Sequence, residues 1–339
     1  MEDVGAVRSR VWRDGDLVEE DFDFDRISDY LTQDGCLIWV DLCGPTPDLL
    51  DRLAGELSLD RQAVEDALGH AERAKATRYA SHVFVTAYAT TLGPPKDGQT
   101  SLSGRSTVLS VARVSAFVFP QGMITVRASP DFDVEPVLQR WDENSDLIQY
   151  GVGALVHGLL DVIVDGHFDT IQAMDDEMEA LESDLFDEEA RSGRVQRRTY
   201  EIRKDLVQLR RVILPMREVV NGVLRHRKDH HTPAELDSWY EDLYDHVLRA
   251  SEWTESLRDM VTTIFETNLS LQDTRLNTVM KQLTAWAAII AVPTAITGYF
   301  GQNVPYPGFQ KEWGFVLSTV VILAVAGSLY GAFKRRNWL

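Results

Sequence analysis

This sequence has very few cysteines, a deficit of basic residues, and two long stretches near its end without any charge. Only two cysteines occur among 339 residues, which excludes a disulfide framework and a cysteine-rich zinc knuckle. The 53 aspartates and glutamates outnumber the 34 lysines and arginines, which gives a formal charge of −19. Because phosphate binding needs clustered basic side chains, the sequence argues against nucleic acid as a partner and favours cations.

Signatures of catalysis are also missing. The chain has no nucleophile motif, no phosphate-binding loop and no Gly-x-Gly-x-x-Gly fingerprint, so an enzymatic function is not expected. His226 and His230 have the i, i+4 spacing of zinc ligands, and His231 adjoins them. Their place beside a predicted helix end favours a solvated turn over a metal site.

The first 150 residues have the pattern of mixed α/β structure. Apolar and β-branched runs predict strands, and two segments, 47–57 and 60–68, predict short helices, the first capped by Thr46. A Gly-, Pro- and Ser-rich segment, 93–104, predicts a loop between strands. The expected fold of residues 1–150 is an α+β domain with a mixed sheet and helices. Its predicted strands are residues 37–42, 83–90, 108–114, 116–119 and 123–126.

Residues 151–280 have the spacing of long amphipathic helices. Apolar residues recur every three or four positions from about residue 153, which predicts one helix ending near Ser192-Gly193 and a second over 194–227. The acidic residues of the first helix are expected to form a solvated face. A third helix is predicted from Pro233, capped by Thr232, to about residue 301, which is roughly 100 Å at 1.5 Å per residue.

The charge-free stretches predict a membrane hairpin. No charged residue occurs between Lys281 and Lys311 or in residues 313–333. Each stretch reaches the ~20 residues needed to cross a hydrocarbon core of ~30 Å. Either one alone could be a buried helix of a soluble protein, but two in succession favour transmembrane helices over 281–301 and 313–333.

Basic residues beside the two spans predict the topology. Lys281 precedes the first span and the basic tail, residues 334–339, follows the second, whereas the loop 302–312 has only Lys311 beside Glu312. The positive-inside rule then places both termini in the cytosol and the loop outside. Since the acidic N-terminus has no apolar signal region, the first 280 residues are expected in the cytosol of a multi-pass protein of the inner or plasma membrane.

One stripe of the first span has the composition of a pore lining. Two helices cannot enclose a water-filled path, so transport by this architecture requires several copies of the chain around an axis. Rings of apolar side chains at such an axis can gate a pore by dewetting. From spacing alone, packing against neighbouring helices explains the same pattern. The residues of this pore stripe are Asn277, Met280, Leu283, Thr284, Ala287 and Ala291.

Several segments together match the pattern of one family. They are Asn277-Thr278-Val279-Met280, Pro293-Thr294, Gly298-Tyr299-Phe300-Gly301-Gln302-Asn303, the final Trp338-Leu339, residues 240–246 and, more weakly, Glu65-Asp66. On these residues the chain resembles the CorA family of magnesium channels. The family hallmark at the outer end of the first span is Gly-Met-Asn. Here the mouth motif is Gly301-Gln302-Asn303.

The resemblance implies an assembly and a set of sites. It implies a funnel-shaped homopentamer in which a ring of Asn303 amides receives hydrated Mg²⁺, an ion that sheds water reluctantly. It also implies that Asp242, Glu65 and Asp66 bind regulatory Mg²⁺ between subunits, so that high internal Mg²⁺ holds the pore shut. From the residues alone, the same carboxylates are a solvated acidic surface.

Three functions stay open at this point. Gated uptake of Mg²⁺, with Co²⁺ or Ni²⁺ as further ions, is the leading interpretation. Transport of Zn²⁺ is the nearest alternative, because the zinc-transporting ZntB branch also varies the middle residue of the motif, here Gln302. A membrane-anchored scaffold that has lost conduction is the third.

Overall fold

The computed structural model describes residues 7–69, 73–94, 107–185, 192–229 and 233–339. It divides into two compact units, unit 1 (Met1–Ile264) and unit 2 (Phe265–Leu339). The boundary falls inside one long helix. Most of the predicted loop 93–104 lies outside the described part of the chain. The same holds for His230, His231 and Thr232.

Unit 1 is built on a mixed sheet, as the sequence predicts, and the described residues form seven strands where five were predicted. The strand order is β2-β1-β3-β7-β6-β5-β4, in which β3 and β7 are parallel and the other neighbours are antiparallel. The strands are β1 (Val7–Arg13), β2 (Asp16–Glu20), β3 (Cys36–Cys43), β4 (Lys75–Arg78), β5 (Val83–Gly93), β6 (Val108–Phe119) and β7 (Gly122–Arg127).

Two strand predictions need correction. The runs 108–114 and 116–119 are one strand, β6, because the polar Ser115 is fully buried and stays in the ladder, opposite Thr86 and Val126. The strands β1, β2 and β4 escape prediction because charged residues interrupt their apolar patterns. Of these strands, β2 and β4 are the two edges of the sheet, where charged residues are common, and β1 lies between β2 and β3.

Helices cover both faces of the sheet. In β3, Ile38 and Val40 face a core that is shared with α1, α2 and α3, whereas Leu37 and Trp39 face a core that is shared with the later helices. This alternation is the period of two that a strand imposes. The helices of unit 1 before the long ones are α1 (Ile27–Thr32), α2 (Pro47–Leu57), α3 (Arg61–Leu68), α4 (Glu135–Glu143) and α5 (Ser145–Ile148).

Capping residues set the starts of α2, as predicted, and of α3, for which no cap was predicted. The Thr46 hydroxyl accepts a hydrogen bond from the Leu49 N–H, and Pro47 occupies the first helical position. The Asp60 carboxylate accepts from the Gln62 N–H in the same way.

A buried ion pair joins the two parallel strands. Asp41 of β3 is 0% exposed and accepts hydrogen bonds from Arg127 and Thr125 of β7. A further nitrogen of Arg127 donates to the carbonyl of Phe132. Both charges are therefore compensated inside the sheet.

Three long helices follow: α6 (Val152–Leu185), α7 (Ser192–Asp229) and α8 (Asp237–Phe300). The sequence predicts that the first of these helices ends near Ser192-Gly193. In the structure these two residues instead form the start of α7. Pro233 precedes a 3-10 turn, Ala234–Leu236, and the α-helix begins at Asp237. Both α6 and α7 pack on the sheet, so residues on either side of position 150 share one compact unit.

Unit 2 contains the rest of α8 and a final helix, α9 (Glu312–Arg335). Both helices are long and apolar enough to cross a membrane. In the most apolar 18-residue segment of each helix, 6% of the residues are buried in α8 and 0% in α9. Large apolar side chains such as Ile290, Phe315 and Leu323 are more than half exposed. A surface of this kind is stable in lipid and unstable in water.

Candidate functional site

The mouth motif directly follows the end of α8. The helix ends at Phe300, and the N–H of Gly301 still donates to the Thr297 carbonyl at 2.8 Å. A Cβ on Gly301 would lie only 3.0 Å from that carbonyl oxygen, which accounts for a glycine here. Gln302 and Asn303 come next, and both are exposed. Their amides are thus free to meet a ligand arriving at this end of the helix.

Aromatic side chains hold the loop behind the motif. The Tyr306 hydroxyl donates to the Phe300 carbonyl at 2.6 Å, and the two rings are 5.1 Å apart, edge to face. Phe309 packs on the other side of Tyr306 at 5.3 Å. The loop is therefore anchored to the last turn of α8, which fixes the backbone on both sides of Asn303.

The pore stripe is exposed along its whole length in the single chain. Met280 is 58% and Leu283 is 63% exposed, and the Thr284 hydroxyl donates to the Met280 carbonyl rather than projecting a free polar group. Residues on other sides of the helix, such as Trp286, are equally exposed. The described part of the chain therefore leaves the stripe uncovered.

The three predicted regulatory carboxylates have different surroundings. Asp66 of α3 is buried and pairs with Lys75 at 2.5 Å, while the neighbouring Glu65 is exposed and pairs with Arg61 at 3.0 Å. Asp242 of α8 is exposed and lies 3.7 Å from the imidazole of His246. The single chain thus gives each carboxylate a partner of its own.

Within the described ranges, a different set of side chains forms the metal-ligand geometry. Asp161 and Asp165 lie one turn apart on α6, and His246 faces them from α8. One ligand atom from each of these residues lies within 4.8 Å of the others. We call these three residues the acid–histidine cluster. Asp242 is one helical turn from His246, so one predicted regulatory residue lies at the edge of this cluster.

Arg140 supplies the positive charge of the cluster in this structure. Its guanidinium from α4 forms ion pairs with Asp161 and with Asp165, the latter at 2.7 Å. The Nδ1 atom of His246 is buried and has no hydrogen-bond partner. A cation could therefore replace the arginine between the carboxylates and gain the imidazole as a ligand.

The donor set limits the metals that fit. Two carboxylates suit hard ions such as Mg²⁺, whereas an imidazole nitrogen suits Zn²⁺, Co²⁺ and Ni²⁺. Mg²⁺ would contact His246 through one of the waters that it keeps. The donor types alone therefore do not distinguish Mg²⁺ from Zn²⁺, Co²⁺ or Ni²⁺ as a ligand of this cluster.

Sequence reasoning missed this cluster, although a signal was present. Asp161 and Asp165 are four residues apart on α6, as Asp242 and His246 are on α8. Each pair by itself is an ordinary solvated face of a helix. Only the packing of α6 against α8 brings the two pairs together.

Two further histidines of α6 are buried and neutral. Burial lowers the pKa of His157 and His167 from 6.5 to about 4. Each ring is 3.1 Å or less from a backbone oxygen, that of Trp239 for His157 and that of Tyr88 for His167. These hydrogen bonds connect α6 to α8 and to the sheet.

A mixed sheet covered by helices, long helices and an apolar two-helix hairpin together define a membrane protein with a large soluble unit. The family model for the CorA-like Mg2+ transporter protein matches residues 34–335. The chain therefore belongs to the CorA family of divalent-cation transporters, which is a transporter class rather than an enzyme class.

Individual relatives agree with this assignment. The "Cobalt/magnesium transport protein CorA" of Thermotoga maritima is 28% identical over 310 residues, which is 89% of this chain and 83% of that protein. The complete structure of the CorA magnesium transporter from Methanocaldococcus jannaschii superposes with a TM-score of 0.72 at 22% identity, covering 100% of both chains. The ZntB cytoplasmic domain from Vibrio parahaemolyticus has the same fold, with a TM-score of 0.52 at 13% identity, over 70% of this chain and 88% of that one.

Proposed function

We propose that this chain is the pore-forming subunit of a homopentameric, gated Mg²⁺ channel that also admits Co²⁺ or Ni²⁺. The observation that carries the proposal is the position of Asn303, exposed just past the end of α8, between two spans without charged residues. An amide oxygen accepts hydrogen bonds from the waters of a hydrated cation. It does so without the tight binding of a carboxylate ring, so the ion can move on.

Flux into proteoliposomes tests this proposal. Asn303→Ala should abolish Mg²⁺ uptake while the oligomer still assembles. Gln302→Ala is the matched control, because it removes the neighbouring exposed amide and should have a smaller effect. Replacing Gln302 by Met, which restores the family hallmark, should preserve or improve Mg²⁺ flux. Wild-type flux in a correctly assembled Asn303→Ala oligomer would refute selection at this mouth.

The same assay separates magnesium from zinc. Besides Gln302 in the mouth motif, the observation that favours zinc is His246 in the acid–histidine cluster, since imidazole is a better ligand for Zn²⁺ than for Mg²⁺. Parallel measurements with Mg²⁺ and Zn²⁺ should show faster Mg²⁺ entry. Faster Zn²⁺ entry would favour the alternative, and an assembled protein that passes neither ion would be a scaffold.

We further propose that intracellular divalent cations close the pore by binding at Asp242, Glu65 and Asp66, together with the acid–histidine cluster. Carboxylates that repel one another are bridged when a divalent cation binds, so the ion selects the state in which they lie close together. The bound metal would take over the charge compensation that Arg140 now supplies.

Protection against proteolysis tests the regulatory site. Millimolar Mg²⁺ should slow cleavage of unit 1 in the wild type, and less so in Asp242→Asn, in Asp165→Asn and in the double variant Glu65→Gln, Asp66→Asn. Asp259→Asn is the control, because Asp259 is a similarly exposed carboxylate of α8 that pairs with Arg258. Unchanged protection in all three test variants would show that the regulatory ion binds elsewhere.

A further inference from the structure

A cavity in unit 1 is lined by basic residues, unlike the acidic surface of the chain. Its volume is about 470 Å³, and its walls come from the turn between β4 and β5, the end of β6, and helices α6, α7 and α8. This volume is within the range of sites that hold small organic molecules. A bound molecule would contact the sheet and three helices at once.

Apart from the tyrosines, the ionisable residues of this cavity are all of basic type. Arg78, His82, His226 and Arg227 line it, and none of the described lining residues is acidic. This composition is unexpected in a chain with a formal charge of −19. We call this site the basic cavity. A local excess of positive groups in an acidic protein attracts anions.

Arg227 is held rigidly in the wall. Its side chain is only 4% exposed, and its guanidinium lies 4.8 Å from the centre of the Tyr240 ring. One of its nitrogens donates to the Pro233 carbonyl at 2.8 Å and to the half-exposed Asp237 at 3.2 Å. The guanidinium is therefore pre-organised, and a ligand would not need to order it.

His82 presents an unsatisfied polar atom in the same wall. The residue is 4% exposed, its Nδ1 lies 2.9 Å from the Ser81 hydroxyl, and its Nε2 is buried without a hydrogen-bond partner. Burial lowers the pKa of His82, against the opposing charge of Asp60, so the ring is neutral at pH 7. When Ser81 donates to Nδ1, the other nitrogen carries the proton and can donate to a ligand oxygen.

Aromatic rings provide the apolar part of the site. Tyr79 stacks on His82 with the ring centres 5.2 Å apart and 23° between the planes, and Phe119 lies 5.8 Å from the same ring. Tyr150 and Tyr240 complete this lining. Flat walls of this kind suit a flat ring.

We propose that the basic cavity binds a small organic anion that consists of an aromatic ring and one carboxylate or phosphate group. The anionic group would accept hydrogen bonds from His82 Nε2 and from the arginines, and the ring would lie among the aromatic side chains. This binding site is separate from the mouth motif and from the acid–histidine cluster, and it does not depend on which ion the protein transports.

Calorimetric titration of the full-length protein in nanodiscs of zwitterionic lipid tests the proposal. The probes are 2-naphthoate and 2-naphthyl phosphate, with the uncharged 2-naphthylmethanol as the matched ligand control. At least one of the two anions should bind saturably with one site per chain. The neutral analogue should bind at least about tenfold more weakly, since a hydrogen bond to a charged group contributes ~1.5–3 kcal/mol.

Variants identify the site. Arg78→Gln removes an exposed rim charge without opening the core and should weaken anion binding about fivefold. Arg61→Gln, an exposed arginine outside the cavity, should leave binding unchanged. His82→Phe keeps an aromatic ring and removes the ring nitrogens. It should weaken binding of the two anions more than binding of the neutral analogue. The proposal fails if neither anion binds, if the three probes bind alike, or if Arg78→Gln and His82→Phe both bind as the wild type does.

Discussion

Mild acid should destabilise unit 1 through His157 and His167. Both rings are neutral in the folded protein because burial lowers their pKa to about 4, whereas an unfolded chain protonates histidine at 6.5. Between these two pKa values the unfolded state binds more protons than the folded state. The stabilising contribution is therefore complete above pH 6.5 and is lost as the pH falls toward 4.

The two pKa values set the size of the effect. One pKa unit corresponds to ~1.4 kcal/mol, so at pH 5 each histidine should lower the free energy of unfolding by about 2 kcal/mol relative to pH 7.5. The two together should account for about 4 kcal/mol. That is a large part of the ~5–15 kcal/mol by which a typical domain is stable.

Urea unfolding of the full-length protein at pH 7.5 and pH 5 measures this loss. Tryptophan fluorescence reports on the right region, since Trp39 and Trp141 pack edge to face in the core beside α6. The comparison variant is His157→Gln, His167→Gln, whose amides can still donate to the same backbone oxygens but do not titrate. Carboxylates titrate equally in both proteins and cancel in the difference. If the double variant loses as much stability at pH 5 as the wild type, the histidines are not the cause.

Three further predictions follow from the fold and the topology. Asp41→Asn should lower the free energy of unfolding by about 3–5 kcal/mol, because it leaves the buried Arg127 without its charge partner, whereas the exposed Asp142→Asn should change it by less than about 0.5 kcal/mol. A cysteine at Ser192 should resist a membrane-impermeant reagent in intact cells; its labelling would contradict a cytosolic unit 1. Native mass spectrometry in detergent should give a pentamer, and a stable monomer or dimer would leave no pathway for an ion.

The candidate cation-binding residues differ in whether the sequence alone could point to them. Asn303 could be singled out because the mouth motif resembles the family hallmark, and the structure places this residue, exposed, just after α8. Asp242 could be singled out by resemblance, whereas Asp161 and His246 could not. These two residues are distant in sequence and become neighbours only through the packing of α6 and α8.

The sequence by itself determined the local elements of this protein. Charge-free stretches specify membrane helices because lipid accepts few charges, and the apolar run of β3 specifies a strand buried on both faces. Capping residues such as Thr46 specify where a helix starts, because they satisfy its first N–H groups. All of these signals act over a few residues.

Only the tertiary structure decided which surfaces meet. It placed the charged strands β2 and β4 at the edges of the sheet and put Arg140 between two carboxylates of α6. It also enclosed the basic cavity between sheet and helices, where His82 has a buried nitrogen without a partner. The physical reason is that periodicity defines the apolar face of an element, whereas the face against which it packs depends on the shape and charge of residues far away in sequence.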